Sequence, residues 1–514
     1  MLPATPRRAS GLRASDLLIA AAAVAARLPF LLRADRFFDA DEAVEGLMAR
    51  HLGDHSLFLW GQRYKGTPEV LLSGAVFRAT GSSVVALKAV TLACFVAFLW
   101  LNFRLLERVC SRGVAWIATA FFILGPPSLV LWTLSGSAEV VMTWLAGVVL
   151  LLALESSSWL VAAAALGLGL WVQQYILYYV ATLAVTAAIV TPGWSETVRE
   201  SVRTRAPRWL QMILIAVIAL ATLYVVLGLI AFFTPGVDVR AAGVRITATH
   251  PQKMWWIAGA LVASAVGAGV VAVFRERLVW PALACLAGYS PAIIGRVGNH
   301  GLGAPIARLD FAGLTAALPD ITTVMLPILF GWRDPTGHVT LVPLLAVVPV
   351  LLVAVSYWTA WRQRLWPFFH VFPLVAAAMF LVSGSYIDAQ TYRYLMPIYA
   401  ALPVVYAVGI ERVLSANRMA GAVLLALVLL IFSGQQIDWY RRLIPDPAVQ
   451  RAIACLDSKG IRAARAGYWQ SYPLTFLTGE RIVVSPTDGI DRYAPYSERT
   501  RSSPTLADAG CSAR

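Results

Sequence analysis

Asp39, Asp41, Glu42 and Glu45 crowd into "RFFDADEAVEG", directly after the first long apolar run of a 514-residue chain. Acids favour a helix N-terminus, and Asp41 could cap a helix beginning at Glu42. Capping uses one acid or two, whereas four at a membrane exit are costly unless a cation or a proton-transfer task balances them. A carboxylate here could act as general base, taking a proton from an acceptor hydroxyl or amine as it attacks. Farther on, "WGQRYKGTPE" (Trp60 to Glu69) joins Arg63 and Lys65, which could hold a phosphate, to Trp60 and Tyr64, which offer aromatic surface to a sugar or isoprenoid. Glu69 adds an acid where the next apolar stretch begins. The plainer alternative for this segment is an interfacial belt of aromatic and basic residues.

The elements that must position these residues are membrane helices. The chain is 59% hydrophobic and 14% charged, with a mean hydropathy of +0.69. A soluble globular chain carries roughly 25% charged residues, so most of this one has a solvent other than water. Apolar runs of the length a bilayer core requires recur near 15–33, 84–103, 114–131, 138–154, 159–173, 175–191, 209–233, 254–274, 278–295, 339–358, 366–383, 394–411 and 419–433. The expectation is an all-α polytopic membrane protein with about thirteen transmembrane helices. The stretch 319–331 is apolar but short, and reads as re-entrant or interfacial. The first run lacks a small-residue cleavage site and reads as an anchor.

The net charge of +14 follows topology rather than nucleic acid. Arg7, Arg8 and Arg13; Arg104, Arg108 and Arg112; Arg199, Arg203, Arg205 and Arg208; Arg275 and Arg277; Arg362 and Arg364; and Arg412 and Arg418 sit in alternate short loops, as cytoplasmic segments do. With the N-terminus cytoplasmic, the loops 34–83, 234–253 and 296–338 and the tail from about 434 fall outside. Within the first of these, Glu42 to Leu52 suits a short amphipathic helix lying in the interface. The expected division is a membrane catalytic domain over 1–433 and a small α/β extracytoplasmic C-terminal domain over 434–514. Cys455 and Cys511 both lie in that tail; they could pair in an oxidising compartment or remain two free thiols. There is no internal repeat or low-complexity block.

An Asp-Glu pair after the first span, a glutamate three residues later, a short helix and then a basic-aromatic segment together resemble the membrane glycosyltransferases of the GT-C fold. The branch most similar is that of the protein O-mannosyltransferases and lipid A aminoarabinose transferases, in the manner of glycosyltransferase family 39. Two more stretches fit. "WTLSGSAEVV" places Glu139 at the outer start of a span, and "QTYRYLMPIYAALP" (390–403) is similar to the family's Arg-Tyr-Leu-x-Pro segment. The likeness covers the whole chain in layout but only some stretches in motif.

The resemblance implies a donor sugar linked to a polyprenyl phosphate and an envelope acceptor (protein, lipid or glycan) on the extracytoplasmic face. It makes Asp41 the catalytic base, with Asp39 its rival and Glu42, Glu45 and Glu139 in the same site. Lys65 and Arg393 become candidates for the donor phosphate, beside Arg63, Tyr64, Tyr392 and Glu69. No cofactor follows, and a divalent metal is left open: Glu69 could be one ligand, but no histidine stands at a diagnostic spacing. A lipid monophosphate carries less charge than a nucleotide diphosphate, so arginine and lysine can stabilise its departure without a metal.

Other residues take plainer readings. Arg27 could join a phosphate site, but snorkelling to the interface is the simpler role. Gln173, Gln174 and Tyr175 make an outer turn or line the site, His250 and His300 lie in outer loops, and "LGPP" (124–127) breaks a helix. Asp388 stands where it could pair with Arg393. Tyr468, Trp469 and Tyr472 could bind glycan or fill the core of a small domain. Two other functions would leave different marks. A transporter or flippase for lipid-linked glycans would favour repeats and midplane charges, and a non-catalytic scaffold leaves the clustered acids unexplained.

Overall fold

The computed structural model describes residues 13–511 apart from 55–56, 63, 137–138, 191–199, 201–207, 242–243, 297–307, 309, 341–344, 346, 364–366, 385 and 446. Two compact units emerge: Met1–His55 with Pro68–Ser137 and Tyr406–Arg514, and Ser56–Thr67 with Ala138–Val405. Among the described residues six helices are long and apolar enough to cross a membrane, seven if one bent pair is a single span, alongside six shorter apolar helices. The protein is a polytopic membrane protein with a mostly helical chain.

In the first unit, α1 (Ala14–Leu31), α2 (Ala40–Arg50), α3 (Pro68–Thr80), α4 (Val84–Val109), α5 (Arg112–Ile123) and α6 (Pro127–Trp132) follow in order. Serines set two of the starts: Ser83 accepts from the Ala86 amide and Ser111 from the Val114 amide. α4 packs on α1, α3 and α5. Buried Asp16 on α1 accepts from Arg104 of α4 at 2.5 Å, which ties the charged ends of the two helices.

The break at "LGPP" ends α5, and Pro127 opens α6, where a missing amide costs nothing. The carbonyls freed at that break are met by Arg27. It donates to Ile123 O at 2.6 Å, to Phe122 O at 3.0 Å and to the Thr133 hydroxyl at 2.8 Å. Arg27 is fully buried, so the snorkelling expected of it does not occur. Backbone oxygens without water in reach draw it inward.

The second unit contains α7 (Val140–Glu155), α8 (Trp159–Val172), α9 (Ile176–Val190), α10 (Arg208–Phe233), a hairpin of β1 (Val237–Ala241) and β2 (Val244–Ala248), and α11 (Pro251–Arg296). After α11 come α12 (Phe311–Asp320), a π-turn at Ile321–Met325, α13 (Leu326–Leu329), α14 (Val347–Gln363) and α15 (Phe368–Ser383). The runs expected as separate spans at 254–274 and 278–295 belong to one helix of 46 residues. The intervening Arg275, Glu276 and Arg277 are good helix formers, and neither glycine nor proline stands among them. The apolar stretch expected at 319–331 begins earlier, at Phe311, and reaches span length through the π-turn.

α8 and α11 meet along small residues. A Cβ on Gly167 would stand 2.0 Å from Cys285 O, and one on Gly288 would stand 2.3 Å from Ala164 O. Glycine is therefore required on both sides of this seam. A 3-10 segment, Ala389–Ala400, follows α15 and packs against it and against α7. It is bent by 53° from α16 (Leu402–Ala416), so the late span begins with a tight turn, not an α-helix.

Back in the first unit, α17 (Arg418–Arg442) is capped by Asn417 and runs beyond the apolar stretch 419–433, because no breaker interrupts its polar end. The tail then forms α18 (Pro447–Ser458), β3 (Ala463–Ala466), α19 (Tyr468–Leu477), β4 (Val483–Pro486) and α20 (Ala494–Thr500). β3 and β4 pair in parallel, with α19 as the crossover. Leu456, Ala464, Leu474, Ile482, Val484 and Leu506 form its core. Cys455 and Cys511 are joined by a disulfide, which resolves their two alternatives.

Candidate active site

Asp39, not Asp41, caps α2: its carboxylate accepts from the Glu42 amide at 2.8 Å, and the helix begins at Ala40. The cap moves two residues upstream of the expected one, and this frees Asp41 for another partner. That partner comes from the tail. The Tyr468 hydroxyl donates to Asp41 Oδ1, and Arg492 Nε reaches the same phenol oxygen at 3.4 Å. Burial, with the Asp41 carboxylate next, pushes the Tyr468 phenol far up, so it stays a donor.

α2 was expected to lie in the interface with one face in lipid. Every residue from Glu42 to Ala49 is instead buried by protein. Its neighbours are α3 and α19, and the contact with α19 is close: a Cβ on Gly46 would fall 2.4 Å from Phe476 Cε2. Phe476 also stacks near Phe38, lies under the Arg50 guanidinium at 3.9 Å and accepts from Arg50 through its carbonyl.

Glu42 faces a buried cation. Lys88 Nζ on α4 donates to its two oxygens at 2.6 and 2.7 Å, and to Phe37 O at 3.2 Å. Burial pushes the Glu42 carboxyl up, to about 8, against the pull of Lys88. Glu45 and Glu69 converge at Gly136, where a Cβ would lie 2.8 Å from an oxygen of each. The Thr91 hydroxyl donates to Glu69. The glycine of "WTLSGSAEVV" is thus needed because two carboxylates fill the space where a side chain would stand. Among the described residues no group of three or more His, Cys, Asp or Glu is arranged to hold a metal.

In the second unit, the hairpin around "WGQRYK" is closed by Leu59 N donating to Lys65 O at 2.9 Å, with Gly61 at positive φ at its tip. The end of α8 clasps it. Trp171 Nε1 donates to Leu57 O at 2.8 Å, and Gly66 N donates to Val172 O at 3.0 Å. A Cβ on Gly66 would meet Trp171 O at 2.4 Å. Lys65 is buried on this hairpin and Tyr64 half-buried, while Arg63 lies outside the described residues.

Tyr175, in the turn between α8 and α9, lies within electrostatic reach of Tyr394, Arg393 and Tyr64. Burial pushes its phenol well up; Tyr178, Tyr394 and Tyr64 add to the rise, and Arg393 opposes it. Arg393 itself donates to the Tyr394 hydroxyl at 3.3 Å, and Tyr392 is buried beside it. Asp388 caps this 3-10 segment, accepting from the Gln390 and Thr391 amides at 2.9 and 3.2 Å. Glu139 stands immediately before α7 in the left-handed region, with φ 51°, and is fully buried. A non-glycine residue is rarely held there, and such strain gathers at functional positions.

Three partnerships go beyond the sequence expectations. Lys88 carried a signal, since one lysine inside "VVALKAVTLACF" must find a partner or a pathway. Tyr175 is expected in an outer turn, with lining the site as its alternative. Tyr468 is expected to bind glycan or fill a small core, and its bond to Asp41 offers no signal, because that partner is 427 residues away.

The chain is similar over nearly its full length to solved structures of ArnT, an aminoarabinose transferase of the GT-C fold. The structure of ArnT from Cupriavidus metallidurans bound to undecaprenyl phosphate matches with a TM-score of 0.55 at 11% identity, covering 95% of this chain and 88% of that one. The apo structure of the same protein matches with a TM-score of 0.52 at 11% identity, covering 96% and 90%. No family model matches the chain. No curated protein matches it either. The fold is therefore GT-C.

Proposed function

We propose that the protein is an inverting membrane glycosyltransferase that moves a sugar from a polyprenyl-phosphate donor to an acceptor on the extracytoplasmic face. The observation that carries this reading is the GT-C fold, shared along 95% of the chain with a structure that holds undecaprenyl phosphate. The carboxylate of Asp41 at the start of α2 and the cationic group of Lys65 and Arg393 supply the chemistry. The Cys455–Cys511 disulfide supports an oxidising compartment for the tail, and with it the cytoplasmic N-terminus and the cell membrane as location.

In the reaction, Asp41 accepts the proton of an acceptor hydroxyl or amine as that atom attacks the anomeric carbon. The bond from that carbon to the phosphate oxygen breaks, and the polyprenyl phosphate leaves with the electron pair. Attack from the side opposite the phosphate inverts the centre. Arg393 and Lys65 stabilise the negative charge that grows on the leaving phosphate. Glu139 completes the acidic set, and Tyr64 and Tyr392 give aromatic surface near the sugar. Asp39 caps its helix and is the weaker candidate for the base. A divalent metal has no step in this scheme.

The test is mass spectrometry of envelope glycans, glycolipids and glycoproteins from cells with and without the gene, followed by complementation. Loss of one sugar modification, restored by the wild-type gene but not by Asp41→Asn, is the expected outcome. An Asp41→Asn protein that inserts normally and restores the modification in full would remove Asp41 as the base.

A further inference from the structure

Tyr468 and Asp41 belong to opposite ends of the sequence, yet their side chains share a hydrogen bond. The seam that brings them together is built for contact. α19 lies against α2 so that its first residue meets Asp41 and its ninth, Phe476, meets Gly46. Only a glycine at 46 leaves room for the Phe476 ring. Phe38 and Phe77 border the same ring, and Arg50 covers it. The tail domain therefore seats itself along the whole of α2.

The phenol is itself fixed. The Tyr468 amide donates to Asp488 Oδ2 at 2.8 Å, which sets the start of α19, and the Arg492 guanidinium approaches the hydroxyl oxygen. Tyr472, one turn on, accepts from the Arg492 amide at 2.7 Å, so the loop carrying Arg492 is held by the same helix face. A hydroxyl with a cation at its oxygen is a stronger donor, and this one donates to the acid.

We propose that Tyr468 is a positioning residue for Asp41: the tail domain reaches over α2, holds one carboxylate oxygen, and so sets how the other is presented to an acceptor. The inference rests on Asp41 being the base. It gives the tail a part in the chemistry beyond packing, and it makes turnover depend on the tail being seated. Charged groups on the same elements include Arg492 and Asp488 from the tail and Asp39, Glu42 and Glu45 at α2, with Lys88 bonded to Glu42.

The experiment compares wild type, Asp41→Asn and Tyr468→Phe in membrane vesicles from a deletion strain. The endogenous donor and acceptor serve as substrates, undecaprenyl phosphate is added as a competitor at the donor site, and the initial rate of product formation is followed by mass spectrometry. Tyr468→Phe is expected to lower the rate roughly tenfold or more while inhibition by undecaprenyl phosphate keeps its wild-type concentration dependence. Purely structural damage would lower the rate and weaken that inhibition as well. If the Phe variant does not accumulate, Arg492→Gln carries the same test, with a smaller loss of rate. An inactive Asp41→Asn beside a Tyr468→Phe that keeps the wild-type rate overturns the positioning role and leaves the base standing. An active Asp41→Asn overturns both.

Discussion

Lys88 Nζ holds both carboxylate oxygens of Glu42, at 2.6 and 2.7 Å, with neither side chain reaching solvent. The two lie on different elements, α4 and α2, so their bond fixes the acid-bearing helix to a membrane helix. It also separates Glu42 from Asp41, its neighbour in sequence. One acid is engaged by a buried ammonium and the other by a phenol, which gives adjacent carboxylates different work.

Glu42→Gln should therefore act on stability. Above about pH 8, where Glu42 is ionised, it leaves Lys88 buried with its charge uncompensated, at a cost of about 3–5 kcal/mol. Lys88→Met should cost less at low pH, because burial already holds the Glu42 carboxyl up, at about 8, and a protonated acid tolerates the site. The sign follows from linkage. A carboxyl whose folded pKa lies above its unfolded value near 4.5 binds the extra proton in the folded state, so stability falls as pH rises through that window. Thermal unfolding of detergent-solubilised protein should show Lys88→Met losing ground to wild type as pH rises past about 8, where Glu42 ionises beside Lys88 in wild type and stays protonated in the variant. A Glu42→Gln protein as stable as wild type would dismiss the pair as a structural device.

The carboxylate cluster could be found from composition because acids at a membrane exit are conspicuous against an apolar chain. What each acid does could not. Asp39 became the cap because the helix starts one residue after it, and a shift of two residues in a helix start is below what pattern alone resolves. α2 looked amphipathic, yet its polar side is covered as fully as its apolar side, by Lys88 and by the tail. Nothing local to α2 encodes that cover. Arg27 was misjudged for the same reason: the carbonyls it serves belong to a helix break 95 residues away. The continuous α11 had a local cause that was legible, since three charged helix formers do not break a helix. Apolar helices were thus readable from short windows, though not where each begins and ends, and partnerships across hundreds of residues were not.

Arg27 offers a test of that distant service. Its nitrogens reach three acceptors at separate positions, so shape matters as well as charge. Arg27→Met leaves the Phe122 and Ile123 carbonyls without this donor and should cost about 1–3 kcal/mol. Arg27→Lys should be no better than Met, because it keeps the buried charge with a single nitrogen to share. Unfolding temperatures of the two variants in one detergent decide the matter. Full stability in Arg27→Lys would mean that charge alone suffices.

The last prediction concerns donor recognition, and it can be made without knowing the sugar. If Lys65 and Arg393 hold the phosphate, undecaprenyl phosphate itself is a sufficient probe. Wild-type protein should gain thermal stability as undecaprenyl phosphate is added, while undecaprenol, which lacks the charge, should give little or none. Arg393→Gln and Lys65→Met should each reduce the stabilisation, and Arg393→Lys should restore only part of it, since an ammonium cannot match a guanidinium fork on a phosphate. In vesicles, the same variants should slow sugar transfer roughly a hundredfold, the usual consequence of losing one group that stabilises a developing charge. Asp41→Asn should bind undecaprenyl phosphate as wild type does, because a base for the acceptor takes no part in holding the leaving group. Unchanged stabilisation in both Arg393→Gln and Lys65→Met would show that the phosphate is held elsewhere.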